Sequence, residues 1–237
     1  MSFIPEKLDY EKKREFRYAL QDYMQDVFRF SDFSGKSVLE VGCGAGIDSA
    51  EFIRNGANVV STDLTRTGAE LTRGLLIEST MPDRVMQADA KFLPFKDKTF
   101  DCVYSFGVLH HFPGIEDAVA EIHRVLKPGG KAMVMLYHKD SLLYGYSIIY
   151  WRGIKEGLLK KMTPEELVSC YSERNEGCPY TRVFSKDEAA RLFLSCFSQA
   201  TTEVHYNVLD LPEQRKVKVE VSDKYELGWH LIVKAIK

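Results

Sequence analysis

VLEVGCGAG, at residues 38–46, is the stretch of this sequence that decides the fold. Its apolar beginning is typical of a buried strand. Gly42, Gly44 and Gly46 follow at alternating positions, where the missing Cβ atoms allow a sharp turn and the close approach of a ligand. Residues 47–54 have the pattern of a helix, and the free N–H groups of its first turn point back at the glycines. Strand, glycine turn and helix predict the first half of a nucleotide-type binding unit.

The spacing of the three glycines separates the ligands that such a turn can hold. Dinucleotide-binding proteins have a third glycine where this chain has Ile47, because helix and strand must pack closely there. Phosphate-binding loops end in Lys followed by Ser or Thr, whereas this loop continues with Ile47 and Asp48. The carboxylate of Asp48 would repel a phosphate. The turn therefore predicts an adenosine-like ligand that carries no phosphate at this position.

An acidic residue at the end of the next strand fits the same ligand. Residues 58–63 have a strand pattern and end at Asp63, 21 residues after Gly42. In nucleotide-binding α/β units, an acid about 20 residues beyond the turn accepts hydrogen bonds from ribose hydroxyls. Gly56, just before this strand, is typical of a helix end. Asp63 is therefore the predicted ribose ligand.

Four further segments follow in an order and spacing known from one enzyme family. They are QADAKFLPF (residues 87–95), FDCVYS (100–105), VLHHF (108–112) and EIHRVLKPGG (121–130). Together with Glu40, the glycine turn and Asp63, they resemble the class I S-adenosylmethionine (SAM)-dependent methyltransferases of the small-molecule type. The resemblance covers roughly residues 36–138.

This resemblance implies an α/β fold. Its core would be a Rossmann-like, seven-stranded, mostly parallel sheet with an antiparallel last strand, an N-terminal helical extension and a helical cap inserted after strand five. Residues 131–137 have the pattern of strand five, and residues 201–207 and 228–236 would form a reversed hairpin at one edge of the sheet. Residues 215–221 alternate strictly, which predicts an extra half-buried strand.

The resemblance also implies SAM as the cofactor and S-adenosylhomocysteine as its product. Gly42 and Gly44 would approach the methionine portion with backbone groups, and Glu40 would orient the turn and meet the amino group. Asp63 would hold the ribose, and Asp89 would read the adenine edge. The implied cofactor-binding residues are Glu40, Gly42, Cys43, Gly44, Asp63, Leu64, Asp89 and Ala90, with Ser105 and Phe106 on the sulfonium side.

Methyl transfer to a hydroxyl needs a base in addition to alignment, because the hydroxyl must lose its proton. His110 is the first candidate, since methyltransferases with a similar Leu-His-His pattern use the first histidine in this way. His138, just after strand five, is the second candidate. The predicted substrate pocket contains Tyr23, His111, Tyr137, Tyr144 and Tyr150.

The 237 residues favour one domain with additions to a single core. We expect an N-terminal helical lid (1–34), a SAM-binding core (35–139), a substrate-cap insertion (140–184) and a C-terminal helix with edge strands (185–237). The insertion separates strand five from the next crossover helix by about 45 residues, far more than a usual connection. Thr163 and Ser185 begin capping-box patterns that predict two helix starts.

The N-terminal segment has an apolar stripe at steps of three and four residues. Its members are Phe16, Leu20, Tyr23, Met24, Val27 and Phe28, and the other face carries Lys12, Lys13, Arg14 and Asp22. This periodicity predicts one amphipathic helix. The helix is either a lid over the cofactor or an element packed on the sheet edge.

Composition excludes several classes of partner. The 32 basic and 34 acidic residues give a net charge of −2, which argues against a broad nucleic-acid surface. No stretch reaches the ~18 apolar residues of a membrane helix, so we expect a cytoplasmic protein without membrane contact. The five cysteines (Cys43, Cys102, Cys170, Cys178 and Cys196) have no metal-ligand spacing, and we expect reduced thiols and no metal.

The function that these features favour is methyl transfer to a small-molecule or natural-product-like acceptor, at a hydroxyl or carboxyl oxygen. Three alternatives stay open: methylation of a peptide or protein, a non-catalytic SAM-binding partner subunit, and a dehydrogenase on a similar sheet. The sequence leaves the acceptor atom open, and the oligomeric state can be a monomer or a homodimer.

Overall fold

The structure is a computed structural model that describes residues 9–172, 180–211, 214–222 and 225–237, with backbone alone for 211 and 214–216. Its main sheet is built on the strands β1 (Ser37–Val41), β2 (Asn58–Asp63), β3 (Val85–Gln87), β4 (Phe100–Phe106), β5 (Leu126–His138), β6 (Val183–Phe184), β7 (Gln199–His205) and β10 (His230–Ile236). The strand order is β3-β2-β1-β4-β5-β10-β7, and the two-residue β6 pairs with the end of β5. The strands β1 to β5 run parallel, while β10 runs antiparallel to both of its neighbours. The predicted mostly parallel sheet with an antiparallel last strand is therefore confirmed.

Helices cover both faces of this sheet. They are α1 (Tyr10–Leu20), α2 (Met24–Phe28), α3 (Ile47–Arg54), α4 (Arg66–Glu78), α5 (Ile115–Val125), α6 (Pro164–Tyr171) and α7 (Lys186–Leu194), with a π-helix at Leu143–Lys155 and short 3-10 turns at Phe30–Phe33, Leu109–His111 and Leu158–Lys160. A separate two-stranded hairpin, β8 (Val208–Leu211) and β9 (Gln214–Lys218), lies between β7 and β10 in the chain.

The central strands are buried on both faces because side chains alternate along a strand. In β4, Val103 belongs to the apolar cluster beneath α5 and α7. Its neighbours Cys102 and Tyr104 belong to the cluster beneath the N-terminal helices and the π-helix. The carboxyl ends of β1, β2, β4 and β5 meet at one edge of the sheet, which is where ligands bind in such folds.

The prediction of one N-terminal helix through residues 16–28 is wrong. The helix stops at Leu20 and a second one starts at Met24. Phe16 is 41% exposed, because α1 packs against α3 through its polar side chains. Arg14, on the face opposite the apolar stripe, forms an ion pair with Glu51 of α3. The apolar periodicity correctly identified the buried face of α2, where Met24, Val27 and Phe28 are buried. Helix α1 is instead attached to α3 by ion pairs.

Other predicted elements agree with the structure to within a few residues. Thr163 and Ser185 form complete capping boxes at the starts of α6 and α7. Strand β5 begins at Leu126 and not at 131, since Leu126 already pairs with Phe100 before a register shift. The extra strand predicted at residues 215–221 is present as β9, in the separate hairpin and not in the main sheet.

Candidate cofactor and acceptor site

The glycine turn after β1 is held closely by its surroundings. Gly42 has φ +81°, and a Cβ on it would lie 2.2 Å from the side chain of Val108. The N–H groups of Gly42 and Cys43 both donate to the Thr62 carbonyl, at 2.7 and 2.9 Å. Within the described part of the chain no donor reaches the Gly42 carbonyl. The backbone group that Gly42 can offer a ligand is therefore this carbonyl, which suits an ammonium group.

Gly44 and Cys43 differ in what they present to a ligand. A Cβ on Gly44 would meet no atom within 4 Å, so this residue borders the open side of the turn. Its N–H is already used by Asp63 Oδ2, at 2.9 Å. The Cys43 side chain is 6% exposed, and burial raises the pKa of its thiol to about 12. The Cys43 thiol is therefore protonated at physiological pH, and the Cys43 N–H and carbonyl are both bonded within the protein.

Asp63 is fixed at the end of β2 by groups around it. Its Oδ1 accepts hydrogen bonds from the N–H and the hydroxyl of Thr65, at 2.9 and 2.7 Å. Gly68 leaves the space for this carboxylate, because a Cβ there would lie 2.4 Å from the Asp63 carboxyl carbon. A carboxylate held in this way can accept ribose hydroxyls without first being ordered.

Two exposed apolar side chains follow the acids of β2 and β3. Leu64 is 58% exposed beside Asp63, and Phe92 is 77% exposed in the loop after Asp89. The Oδ1 of Asp89 accepts the Lys91 N–H at 2.9 Å, and Ala90 between them is buried. Phe92 was missed by the sequence analysis, although a large aromatic in a polar strand-end loop was a visible signal.

Glu40 is a buried carboxylate directly beneath the turn. It is 3% exposed, accepts the hydroxyl of Ser49, and Ser49 in turn lies 2.6 Å from the hydroxyl of Ser61. Burial, and next the nearby carboxylate of Asp48, raise the pKa of Glu40 well above its usual range. A buried anion without a cationic partner is costly, so a bound ammonium would stabilise its charged form.

Ser105 and Phe106, the predicted sulfonium-side residues, have different roles in the structure. Ser105 is fully buried, and its hydroxyl donates to the Val41 carbonyl at 2.9 Å, so it joins the ends of β1 and β4. Phe106 is half-buried, and its ring lies under the Arg17 guanidinium, 4.5 Å from the Arg17 Cζ atom. The Phe106 ring also meets the His230 ring edge-on, with centroids 5.3 Å apart.

His110 is enclosed in an aromatic cluster at the end of β4. It is 1% exposed, and its ring centroid lies 3.8 Å from that of Tyr137 and 4.2 Å from that of His111. Tyr137 stacks in turn on Trp229 at 4.2 Å. Neither His110 ring nitrogen has a hydrogen-bond partner among the described residues. Burial lowers the pKa of His110 well below its usual range, so the imidazole is neutral at physiological pH.

His138 does not join this cluster. It follows Tyr137 directly in β5, and successive side chains of a strand point to opposite faces. Its Nδ1 lies 3.0 Å from the Gly228 carbonyl, and burial lowers its pKa. The second base candidate therefore lies on the face of β5 away from His110, and the geometry favours His110.

His111 connects this cluster to the insertion. Its Nδ1 lies 3.1 Å from the Thr181 hydroxyl, and the His110 carbonyl accepts the Arg182 N–H at 2.9 Å. The end of the insertion thus folds back onto the two histidines.

Tyr23 reaches the site from the turn between α1 and α2. Its hydroxyl lies 2.7 Å from Nδ1 of His230, its ring stacks on His205 at 4.5 Å, and Tyr206 stacks on His230 at 4.6 Å. His230, Tyr206 and Trp229 were missed by the sequence analysis. The signal was available, because the first residues of an antiparallel last strand lie at the carboxyl edge of the parallel strands.

The two tyrosines predicted from the insertion separate. Tyr144 is half-buried and packs on the core cluster beneath the π-helix. Tyr150 is 38% exposed, and its ring contacts Tyr146 and Lys155 of the same helix. The structure does not bring Tyr150 to the rings around His110 or around His230, because the π-helix turns it outward.

Other candidate features lie elsewhere or are lacking in the described residues. A cavity of about 310 Å³ lined by Phe33, Lys131 and Lys234 lies at the opposite end of the strands. No group of three His, Cys, Asp or Glu side chains that could hold a metal occurs in the described ranges. Cys43, Cys102, Cys170 and Cys196 are free thiols, and Cys178 lies outside the described residues. No helix in the described ranges has the length and apolarity needed to cross a membrane.

Comparison with known proteins agrees with this geometry. Residues 39–134 match the family described as a methyltransferase domain. Sterol 4-C-methyltransferase strm-1 of Caenorhabditis elegans is 31% identical over 137 residues, which are 56% of this chain and 40% of that protein. The ubiquinone/menaquinone biosynthesis C-methyltransferase UbiE of Teredinibacter turnerae is 37% identical over 133 residues, 50% of this chain and 53% of the relative. Fatty-acid O-methyltransferase of Mycolicibacterium smegmatis is 35% identical over 116 residues, 48% and 41% of the two chains.

These relatives are longer than the matched part, and the chain spans about half or less of their length. Among solved structures, the PH0226 protein of Pyrococcus horikoshii has the same fold, with a TM-score of 0.66 at 19% identity over 94% of this chain and 91% of that one. Residues 39–134 therefore form a methyltransferase domain of the SAM-dependent family. The methyl donor of this family is SAM, which confirms the predicted family and cofactor.

Proposed function

We propose that the chain transfers the methyl group of SAM to an oxygen of a small-molecule or natural-product-like acceptor. The observation that carries this proposal is His110, a neutral, buried imidazole whose two nitrogens have no partner in the described part of the chain. Such a side chain is costly to bury. The cost is offset if a ring nitrogen accepts the proton of an acceptor hydroxyl.

The residues of the glycine turn fit the cofactor end of this reaction. SAM supplies an already activated methyl group, so the protein mainly has to align the two reactants and exclude water. The Gly42 carbonyl and Glu40 would hold the ammonium, and Asp63 would hold the ribose. Leu64 and Phe92 would cover the adenine, whose edge Asp89 would meet.

The acceptor would lie between two imidazole clusters, one formed by His110, His111 and Tyr137 and the other by Tyr23, His205 and His230. Three segments would close over it. The N-terminal segment reaches the C-terminal hairpin through the ion pair of Asp22 with Lys218, at 2.6 Å. The hairpin reaches the π-helix through the Asp210 N–H, which donates to the Ser147 hydroxyl at 2.9 Å. These contacts support the division into an N-terminal lid, a cap insertion and C-terminal edge elements around one core.

Carbon is the second candidate for the acceptor atom. Two of the relatives are named C-methyltransferases and one is named an O-methyltransferase. Methylation at an acidic carbon also ends with the loss of a proton, so a base would serve both reactions. The unpartnered imidazole therefore supports an acceptor that loses a proton, and oxygen is the simpler case.

The test is transfer of a ¹³C- and ¹⁴C-labelled methyl group from SAM to a crude metabolite extract, with small-molecule, polypeptide and RNA fractions counted separately. We expect label in a small organic-soluble product. The carbon NMR shift of the new methyl group then distinguishes oxygen from carbon, nitrogen or sulfur as the acceptor. A matched reaction with His110→Gln should lose most of this label.

Each other outcome contradicts a stated part of the proposal. Label confined to polypeptide or RNA would exclude a small-molecule acceptor. A methyl group on carbon, nitrogen or sulfur would exclude oxygen. Tight SAM binding without transfer to any fraction would favour a partner subunit that binds SAM without catalysis.

A further inference from the structure

Arg17 is a basic side chain that α1 places against the cofactor turn. Its Nε and Nη2 atoms donate to the two carboxylate oxygens of Asp48, at 3.2 and 2.6 Å. Asp48 lies in the first turn of α3, two residues after Gly46. The guanidinium also lies over the ring of Phe106 at the end of β4, with 4.5 Å between Cζ and the ring centroid. Arg17 therefore bridges the start of α3 and the end of β4, between which the methionine portion of SAM is expected.

Two tyrosines, the half-buried Tyr18 and the fully buried Tyr104, hold this arrangement in place. The hydroxyls of Tyr18 and Tyr104 donate to Asp48, at 3.0 and 2.9 Å. Asp48 is 5% exposed, and the Arg17 side chain is 17% exposed. Although burial opposes the charge of Arg17, the Asp48 carboxylate raises the pKa of its guanidinium. Arg17 is thus a permanent cation in a fixed orientation.

Only one edge of the Arg17 guanidinium forms hydrogen bonds within the described ranges. Asp48 occupies the edge formed by Nε and Nη2, and no hydrogen bond from Nη1 occurs within the described ranges. A guanidinium has five N–H donors and can bind a second carboxylate along its free edge. The remaining edge, between Nη1 and Nη2, suits a planar anion.

We propose that Arg17 binds the carboxylate of SAM and makes α1 a part of the cofactor site. This inference rests on SAM as the cofactor, and it adds a ligand that the strand-end motifs do not contain. The methionine portion carries an ammonium and a carboxylate. Glu40 and the Gly42 carbonyl suit the ammonium, whereas Glu40, Asp48 and Asp63 would all repel the carboxylate. Arg17 supplies the opposite charge.

Arg14 provides a matched control on the same helix. It lies almost one turn before Arg17 and forms the corresponding ion pair with Glu51 of α3, with its Nη2 donating at 3.0 Å. Arg14 also fastens α1 to α3, but its partners are Glu51 and the Tyr18 ring. Replacing Arg14 therefore tests the anchoring of the helix without removing the cation beside Phe106.

The experiment compares SAM with S-adenosyl-3-methylthiopropylamine, which keeps the ammonium and the sulfonium but lacks the carboxylate. Dissociation constants of both are measured by calorimetry for the wild type, Arg17→Met and Arg14→Met. Because one charge-assisted contact is worth about 1.5–3 kcal/mol, we expect Arg17→Met to bind SAM about 10- to 100-fold more weakly. Its affinity for the decarboxylated compound should change less than about threefold. Arg14→Met should change both affinities by the same factor.

The result that overturns the inference is equal weakening of both compounds by Arg17→Met, because an anchor of the helix would act on both. Equal affinity of the wild type for the two compounds overturns it as well, whatever the variants do. If Arg17→Met does not fold, Arg17→Met combined with Asp48→Asn removes the unpaired buried carboxylate and allows the same comparison. A wild type that binds neither compound would instead contradict SAM as the cofactor.

Discussion

The cofactor side and the acceptor side of this site are assembled in different ways. On the cofactor side, contacts join residues close in the sequence: Ser49 with Glu40, nine residues apart, and Gly44 with Asp63, 19 apart. On the acceptor side, Tyr23 meets His230 across 207 residues, and Lys218 meets Asp22 across 196. The strand-end motifs of the cofactor side are therefore local in the sequence. The acceptor side forms only when segments distant along the chain come together.

The two sides also differ in how their polar groups are satisfied. Asp63 already accepts three hydrogen bonds from its surroundings. The two ring nitrogens of His110 have no hydrogen-bond partner within the described residues. A preorganised carboxylate lowers the cost of binding a ligand that every family member shares. An unpartnered imidazole keeps its full hydrogen-bonding capacity for the acceptor.

The largest expected effect concerns His110. His110→Gln should lower kcat about 10²–10⁴-fold on a hydroxyl acceptor, because it removes the base that we propose takes the proton. In the wild type, burial lowers the pKa of His110. The acid limb of the pH–rate profile should therefore lie below pH ~6.5, the ordinary value for histidine. Steady-state rates between acid and neutral pH measure both.

His138→Gln is the control, since this buried histidine lies on the opposite face of β5. It should leave kcat within a few-fold of the wild type. An unchanged rate for His110→Gln would contradict the base, and it would point to a carboxylate acceptor, which has no proton to lose.

The next effect concerns Gly42 and distinguishes folding from binding on the cofactor side. Gly42→Ala should lower the free energy of unfolding by about 2–5 kcal/mol, because φ +81° is strained for alanine and its Cβ overlaps Val108. Gly44→Ala, with φ +52° and no atom within 4 Å, should cost only about 1–2 kcal/mol. Urea unfolding measures the free energies, and calorimetry measures SAM binding. Equal destabilisation by the two variants would refute this distinction.

The smallest effect is a pH dependence of SAM affinity through Glu40. Burial and Asp48 raise the pKa of Glu40, so the unliganded protein holds a proton there above the usual pH of release. The proposed pairing with the cofactor ammonium would favour the charged carboxylate and release this proton. SAM affinity should therefore rise with pH below the raised pKa, by at most about tenfold per pH unit.

Glu40→Gln should bind SAM more weakly, with a flat pH profile over the same window. Methylthioadenosine, which has no ammonium, should bind the wild type without this dependence. A wild-type profile for SAM that stays flat would contradict the contact between Glu40 and the ammonium.

Much of the fold and of the cofactor side was predictable from the sequence, because the motifs that indicate them are local. The glycine turn, Asp63, Asp89 and the parallel order of the strands follow from short motifs and alternating patterns. What those motifs did not reveal is which backbone atoms stay free. The N–H groups of Gly42 and Gly44 both form hydrogen bonds within the protein, because the end of β2 lies against the turn.

The acceptor side was predictable only in part. His110, His111, Tyr137 and Tyr23 were chosen from their positions near strand ends or in the N-terminal segment, and the structure brings them to the two imidazole clusters. Tyr150 and His138 were chosen on the same grounds and point elsewhere. Strand alternation separates His138 from Tyr137, and the π-helix turns Tyr150 outward. Neither orientation can be read from the sequence without the exact register of these elements.

The sequence by itself determined the class of fold, the glycine turn and the acids that follow it, because these depend on backbone geometry over a few residues. The tertiary structure alone decided that α1 packs through charges, that Arg17 lies between Asp48 and Phe106, and that His230 meets Tyr23. Each of these contacts joins segments distant along the chain. Their geometry is set by how helices and strands pack on the sheet, and no local pattern in the sequence records that packing.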